Sequence, residues 1–344
     1  MRQWMTRVNG EPLPWLLERD RAQPGVRYFA LLQLVDLPPD DEQVVAARQA
    51  VMSSGPVPAI LAAMNPEGYW VKPGWGYSPK YRGTVWSVIM LAQLGADGSD
   101  PRVRRAAEYV LEHATSPVGA FSYAENRSQA GALHCLNGNL IAALLDMGWL
   151  GDERLARALE WEARAITGEG MAPATARDEP TRFYRSGTCG PGFCCSAQER
   201  KPCAWGAVKA GLAFSKLPPE QRTPLIRRAV QATVDFLLHC DPAVADYPTR
   251  ENTKPSRSWF QFGFPVFYVT DVLQNLEVLT ALGCGMDPRL KHALDLLLEK
   301  QDPLGRWQME YTYNGKTWVD IEQKREPSKW VTLRALRVLK RAAS

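Results

Sequence analysis

The strongest fold signal is the segment Gln301-Asp302-Pro303-Leu304-Gly305-Arg306-Trp307, which matches the pattern Q-x-x-x-G-x-W and precedes the last apolar helical segment. Two earlier segments are similar to it: Asn65-Pro66-Glu67-Gly68-Tyr69-Trp70 and, less closely, Ser116-Pro117-Val118-Gly119-Ala120-Phe121. The glycines at positions 68 and 119 are 51 residues apart. Similar segments at such an interval indicate an architecture built from repeated units.

Amphipathic segments flank these turns. Three of them begin with a capping residue followed by proline, at Asp100-Pro101, Thr223-Pro224 and Asp287-Pro288. The cap side chain accepts a hydrogen bond from a free backbone N–H, and proline has no N–H to leave unpaired at the first helical position. Residues 152–166 repeat the amphipathic pattern, and residues 41–52 repeat it less cleanly. These segments predict helices with one apolar face, which is typical of an outer layer.

Segments that are apolar nearly all round alternate with the amphipathic ones, at residues 28–35, 84–94, 136–147, 203–217, 268–282 and 330–339. Such helices belong inside an assembly. Several end at a glycine suited to the left-handed cap, namely Gly95, Gly148 and Gly283. The alternation predicts an all-α fold, an (α/α)6 toroid of inner and outer helices, in preference to an irregular bundle. We expect one domain over residues 1–344, in which about residues 1–14 can form a loose N-terminal arm.

Composition excludes several classes of protein. Hydrophobic residues make up 45% of the 344 residues, enough for a large core, and the net charge of +4 comes from dispersed basic residues, which argues against a nucleic-acid partner. The longest apolar segments are shorter than the roughly 18 to 20 residues of a membrane-spanning helix. The first 14 residues lack the apolar region of a secretory signal. Seven cysteines in such a chain suit a reducing compartment, so we expect a cytoplasmic protein.

The repeated turns and alternating helices together resemble the prenyltransferase and squalene-cyclase superfamily. This resemblance covers the chain from about Trp15 onward and implies an α/α toroid in which glutamine–tryptophan turns tie outer helices together. The superfamily's catalytic motifs do not carry over. The sequence contains no D-x-D-D acid and no D-D-x-x-D clamp, and Asp40-Asp41-Glu42 fits a helix cap. The zinc of protein prenyltransferases is held by Asp, Cys and His, whereas this chain offers cysteines.

Five cysteines are the candidate metal ligands. Cys189, Cys194, Cys195 and Cys203 lie within fifteen residues, and Cys135 stands at the start of an apolar segment. The starts of neighbouring inner helices approach each other around one mouth of a toroid. Cys135, Cys189, Cys203 and one of Cys194 or Cys195 could therefore form a tetrathiolate site for Zn²⁺ or, as a second choice, an iron–sulfur cluster. Metal-free thiols acting in acid–base or nucleophilic chemistry, or plain buried cysteines, are the alternatives.

Three residues are candidates for catalysis. Asp271 would lie on a buried helix, where a carboxylate needs a partner or a chemical role, although it could also cap the neighbouring backbone. His134, next to Cys135, could act as partner of a thiol, and Tyr184 is a candidate for proton transfer.

Aromatic and basic residues ahead of or within the apolar segments are candidates for substrate binding. Aromatic faces can bind an apolar chain or stabilise a carbocation, although aromatic residues between helices are commonly core. Lys329 and Arg82 could pair with Asp271 or bind a diphosphate. The full set of candidates is Tyr81, Arg82, Trp86, Phe262, Tyr268, Lys329 and Trp330.

The sequence therefore predicts a zinc-containing enzyme of the terpene-cyclase or prenyltransferase type, acting on a hydrophobic isoprenoid-like molecule in an aromatic central cavity. One alternative is a carbohydrate-active (α/α)6 enzyme that uses paired carboxylates. The other is a non-catalytic binding or scaffold toroid with a structural zinc.

Overall fold

Helix caps and left-handed glycines divide the chain into short helices, as the sequence predicts. The computed structural model describes residues 3–172, 188–250 and 255–343. All three predicted caps accept hydrogen bonds from the first turn of the segment that follows: Asp100, Thr223 and Asp287. All three predicted stop residues have positive φ: Gly95, Gly148 and Gly283. The helices that carry these signals therefore begin or end close to them.

Six helices form an inner ring: α2 (Pro24–Gln33), α5 (Thr84–Gln93), α7 (His134–Asp146), α9 (Ala204–Ser215), α11 (Val272–Leu279) and α13 (Lys329–Arg341). The outer helices are α1 (Pro12–Leu16), α3 (Glu42–Ser53), α4 (Pro56–Ala62), α6 (Pro101–His113), α8 (Glu153–Thr167), α10 (Pro224–Leu237) and α12 (Lys291–Glu299). Two small antiparallel pairs complete the described part of the chain, β1 (Cys189–Gly190) with β2 (Cys194–Cys195) and β3 (Trp307–Gln308) with β4 (Pro327–Ser328).

The inner helices pack side by side in chain order, and each of the first five also packs on the outer helix that follows it. The backbones of α7 and α9 approach each other closely at Gly138, where an added Cβ would lie 2.2 Å from the carbonyl oxygen of Lys209. The backbone at Gly95, after α5, lies against the rings of Tyr28 and Phe29 of α2. Since α13 also packs on α2, the six inner helices close into a ring. The molecule is an (α/α)6 toroid of alternating inner and outer helices.

The three similar sequence segments form equivalent turns, which we call the repeat turns. The indole N–H groups of Trp70 and Trp307 donate to carbonyl oxygens ten residues earlier, at Ile60 (2.9 Å) and Leu297 (2.7 Å). Their backbone N–H groups donate to threonine hydroxyls near the start of the next inner helix, at 3.1 and 3.0 Å. In the middle turn the backbone N–H of Phe121 donates to an asparagine oxygen of α7 in the same way. Each turn therefore fastens an outer helix to the next inner helix.

Each repeat turn also contacts the next outer element through its glycine. A Cβ at Gly68 would lie 2.7 Å from the carbonyl oxygen of Arg105 in α6, and one at Gly305 would lie 2.0 Å from that of Asn9. The side chains of Arg105 and Arg157 donate to carbonyl oxygens within the first two turns. The turns therefore link successive outer helices around the ring.

The N-terminal segment occupies the last outer position. Gln301 of the third repeat turn accepts a hydrogen bond from the backbone N–H of Asn9 (2.7 Å) and donates to the carbonyl of Arg7 (3.2 Å). Arg7 also pairs with Asp295 of α12 at 2.8 Å. Both the 3-10 helix Gln3–Arg7 and α1 contact α13. Residues 3–16 are thus packed into the outer layer.

Among the described residues, no helix combines the length and apolar character needed to cross a membrane.

Candidate functional site

The cysteine-rich loop forms a small hairpin over the starts of two inner helices. Cys189 pairs with Cys195 across β1 and β2, and Gly192 and Phe193 turn the chain with positive φ. The backbone N–H of Cys203, the N-cap residue of α9, donates to the carbonyl of Phe193 at 2.9 Å. The hairpin therefore holds its thiols near the N-termini of α7 and α9, where the helix dipole favours negative charge.

Three thiols meet at this place. Cys195 and Cys203 share a hydrogen bond, which lowers the pKa of the half-buried Cys195 thiol to about 6 and raises that of Cys203 well above its usual range. Burial raises the pKa of Cys135 to about 12, and the neighbouring Cys195 and Cys189 contribute to this shift. The lowered pKa favours the thiolate form of Cys195, which is the nucleophilic form of cysteine. Cys194 is held by backbone pairing with Gly190 and Pro202.

Zinc binding at these cysteines stays a prediction. Four thiolates are the right donors for a structural zinc. The thiol of Cys189, however, donates to the carbonyl of Ala132 at 3.3 Å and interacts with His134. Across residues 3–172, 188–250 and 255–343, no three His, Cys, Asp or Glu side chains are grouped so that they could hold a metal ion.

His134 anchors the cysteine hairpin. Its Nδ1 lies 2.8 Å from Oε1 of Glu162 in α8, and its Nε2 lies 3.1 Å from the carbonyl oxygen of Gly190. Burial alone would lower the pKa of His134, but its interactions with Cys189 and Glu162 outweigh burial and raise it well above the usual value. An imidazolium that donates from both nitrogens accounts for this geometry. Because both nitrogens are engaged and the side chain is buried, His134 positions the hairpin.

An aromatic wall adjoins the thiols. Tyr81 stacks on Tyr268 with a ring separation of 6.3 Å, and their hydroxyls are 3.2 Å apart. Trp86 and Trp205 each contact Tyr268, with ring centroids 6.1 and 6.3 Å apart. Burial raises the pKa of Tyr77, and the charges of the neighbouring Cys135 and Tyr268 would raise it further. We call this site the thiol mouth, formed by Tyr77, Tyr81, Trp86, Cys135, Cys195, Cys203, Trp205 and Tyr268.

The basic candidates lie elsewhere. Lys329 pairs with Glu18 and Asp20 at 2.8 and 3.0 Å, so it is not the partner of Asp271. Arg82 donates to the carbonyl of Thr317 at 3.3 Å and covers the ring of Trp318. Both side chains are therefore committed to loops around the ring.

Of the aromatic candidates, Phe262 belongs to the core and Trp330 to the ring axis. Phe262 is buried beneath the ammonium group of Lys300. Trp330 stacks on Phe264 with ring centroids 4.1 Å apart and donates to Gln23 at 2.7 Å. Neither residue is part of the thiol mouth, because these contacts lie with other elements.

Asp271 is the centre of a buried ion pair. It caps α11 by accepting from the backbone N–H of Gln274 at 2.7 Å, and it accepts from Arg334 of α13 at 3.0 and 3.1 Å. Arg334 also donates to Glu277 at 2.9 Å. Lys209 of α9 completes the cluster through a hydrogen bond to Gln274, and burial lowers its pKa to about 7. Asp271 therefore joins helices α11 and α13. Tyr184, the third catalytic candidate, lies outside the described residues.

Sequence reasoning missed Trp205, Lys209 and Arg334. Lys209 and Arg334 stand within nearly apolar helices, and the same signal that singled out Asp271 could have identified them. Trp205 carries no such signal, since aromatic residues in inner helices are common in this chain.

A second space lies along the ring axis, toward the C-terminal ends of the inner helices. This axial cavity of about 160 Å³ is lined by apolar and aromatic side chains and by polar ones that include Gln33, Asp146, Lys216, Glu277, Arg334, Arg337 and Arg341. The axis therefore carries charged side chains at this end, unlike the thiol mouth.

Comparisons with known proteins give only distant likenesses. No family model and no curated protein matches the chain. A protein from Actinoplanes is 16% identical, with 93% of this chain and 90% of that one covered and a TM-score of 0.44. An unsaturated glucuronyl hydrolase specific for heparin is 10% identical, with 94% and 86% covered and a TM-score of 0.49. A variant of the type II terpene cyclase MstE from Scytonema, bound to geranylgeranyl dihydroxybenzoate, is 15% identical, with 83% and 95% covered and a TM-score of 0.32.

Proposed function

We propose that this toroid is an enzyme that binds an isoprenoid-like apolar molecule at the thiol mouth and processes it by transfer, cyclisation or elimination. The observation that carries the proposal is the meeting of a thiol cluster with a half-buried aromatic wall. An apolar chain would lie against the faces of Tyr81, Trp205 and Tyr268. Such faces also attract a positive charge that develops on a substrate.

The thiols would supply the reactive groups. Cys195 of the hairpin shares a hydrogen bond with Cys203, and Cys135 interacts electrostatically with both Cys195 and Tyr77. We assign Cys195 as the nucleophile or base and Cys135 as the neighbouring proton donor, with His134 and Glu162 keeping the hairpin in place. A zinc bound by the same thiols would hold the mouth together. Metal analysis of the purified protein tests its presence.

The carbohydrate alternative needs two carboxylates that face one groove. On the ring axis, Asp271 and Glu277 are both bound to Arg334, and Glu277 is also bound to Arg337. Neither carboxylate is therefore free to face a sugar. Comparing the binding of a saccharide with that of an apolar molecule distinguishes the two functions.

The Trp205→Leu variant tests the proposal through binding of farnesol, followed by intrinsic tryptophan fluorescence. Farnesol should bind the natural protein saturably, and the variant should bind at least about tenfold more weakly, because Trp205 supplies a face of the wall. The matched control is Trp15→Leu, since Trp15 is half-buried like Trp205 but lies in the outer helix α1, against Arg306 and Lys329. Equal farnesol affinity in all three proteins, or binding of an unsaturated uronic disaccharide in place of farnesol, would contradict the proposal.

A further inference from the structure

The axial cavity is lined by more basic side chains than carboxylates. Arg334, Arg337 and Arg341 lie on one side of α13, at intervals of three and four residues, and all three line the cavity. Arg334 pairs with Asp271 at 3.0 Å and with Glu277 at 2.9 Å, and Arg337 pairs with Glu277 at 3.1 Å. Across the cavity, Lys216 and Asp146 pair with each other at 2.8 Å. Within the described residues, Arg341 is left with no ion pair.

Two buried polar atoms in the same cavity lack hydrogen-bond partners. They are the donor Nε–H of Arg337, in α13, and the acceptor Oε1 of Gln33, in α2; of the two, only the Arg337 donor can bind an anion. A buried donor without a partner costs free energy, so such an atom points to a group that is bound in use. Arg337 remains one-fifth exposed through the opening, so a solute can reach it.

The charge environment of Arg337 agrees with this geometry. Burial lowers its pKa to about 10; Glu277 opposes the shift, while Arg341 and Arg334 add to it. Three guanidinium groups thus crowd one space. The C-terminal ends of helices favour cations, which explains the presence of one basic residue at the end of α13. That effect does not account for an unpaired donor directed into the cavity.

We propose that the axial cavity is a binding site for a phosphate-type oxyanion, held by Arg337 and Arg341 on the side of the ring opposite the thiol mouth. Guanidinium groups present planar pairs of donors that match the oxygens of phosphate. A cavity of about 160 Å³ compares with one of roughly 150 Å³ that accommodates a benzene-sized molecule. It therefore suits a phosphate or diphosphate group, either as a free ion or as the end of a longer molecule. The site is independent of the function proposed for the thiol mouth.

Isothermal titration calorimetry with sodium phosphate, sodium diphosphate and farnesyl diphosphate, at constant ionic strength in chloride, tests this site. The natural protein should bind at least one of these ligands, and Arg341→Gln should weaken that binding at least about tenfold. Arg341 is the last residue of α13, so its replacement leaves the ion pairs of Glu277 in place. The matched control is Arg102→Gln, which removes an exposed arginine of the outer layer and should bind normally.

The outcomes separate the sources of the oxyanion. Binding of phosphate or diphosphate alone supports a site for the free ion. Binding of farnesyl diphosphate alone, weakened by Arg341→Gln, supports a site for the end group of a longer molecule. The proposal is overturned if none of the three ligands binds, or if a folded Arg341→Gln protein binds as the natural protein does. Loss of farnesol binding in Trp205→Leu is a separate result, because it concerns the other end of the ring.

Discussion

At the scale of single residues, the buried ion pair between Asp271 and Arg334 joins two inner helices and a loop. Asp271 accepts hydrogen bonds from Arg334, from the start of α11 and from the backbone of Gly263. With so many donors committed to it, Asp271 has little capacity left for a substrate. We therefore infer that it positions α11 and α13.

Replacement of Asp271 by Asn should lower the free energy of unfolding by about 3 kcal/mol or more, because it leaves Arg334 buried with one carboxylate fewer. Urea unfolding followed by circular dichroism measures this change. Asp287→Asn is the matched control, since it alters an exposed cap and ion pair and should change stability by less than about 1 kcal/mol. A stable Asp271→Asn protein that has lost its activity would instead identify Asp271 as catalytic.

The need of Asp271 for a partner could be predicted from the sequence, because a carboxylate in an apolar helix requires one. The identity of the partner could not. Arg334 lies 63 positions further along the chain, and the packing of α13 against α11 depends on how the whole ring closes. Lys329 and Arg82 stand nearer to helix starts, but their side chains turn to other loops.

At the scale of elements, the repeat turns make the ring regular, because they link successive helices through equivalent contacts. The equivalent hydrogen bonds of Trp70 and Trp307 place each turn between an outer helix, the next inner helix and the next outer element. Each turn needs its glycine for two reasons. The φ angle is positive, and a neighbouring backbone or side chain lies too close to leave room for a Cβ.

Gly68→Ala should destabilise the protein more than Gly148→Ala does, although both glycines have positive φ. Each alanine would incur about 1 to 2 kcal/mol of backbone strain. At Gly68 the new methyl group would also meet the backbone of Arg105, whereas nothing lies within 4 Å at Gly148. Overpacking adds roughly 1 to 3 kcal/mol. Thermal unfolding of both variants measures the difference, and equal losses would contradict the link between turn and outer helix.

Helix starts, helix stops and the three turns could be predicted because their signals are local in the sequence. The position of the N-terminal segment has no such local signal. Its contacts with Gln301 and Asp295 join residues nearly 300 positions apart, and only closure of the ring brings them together. The cysteine hairpin was likewise beyond prediction, since its two-residue strands are too short for a pattern.

At the scale of the whole molecule, the two ends of the ring differ in chemistry. The starts of the inner helices hold thiols and aromatic rings, and their ends surround a cavity with arginines. The sequence predicts a single aromatic cavity, because helical periodicity shows which residues are buried but not how the helices are rotated about the axis. The rotation seen here directs Lys209, Glu277, Arg334 and Arg337 inward.

The measurement that tests the central claim most directly is the rate of iodoacetamide labelling of each cysteine, followed by mass spectrometry with and without farnesol. Cys195 should react fastest, because its thiol is half-buried and has a lowered pKa. Farnesol should slow the labelling of Cys195 and Cys135 and leave Cys240 and Cys284, which lie outside the thiol mouth, unchanged. Repeating the series after treatment with a chelator separates protection by bound metal from protection by farnesol. Labelling of Cys195 and Cys135 that farnesol does not alter would contradict a substrate site at the thiol mouth.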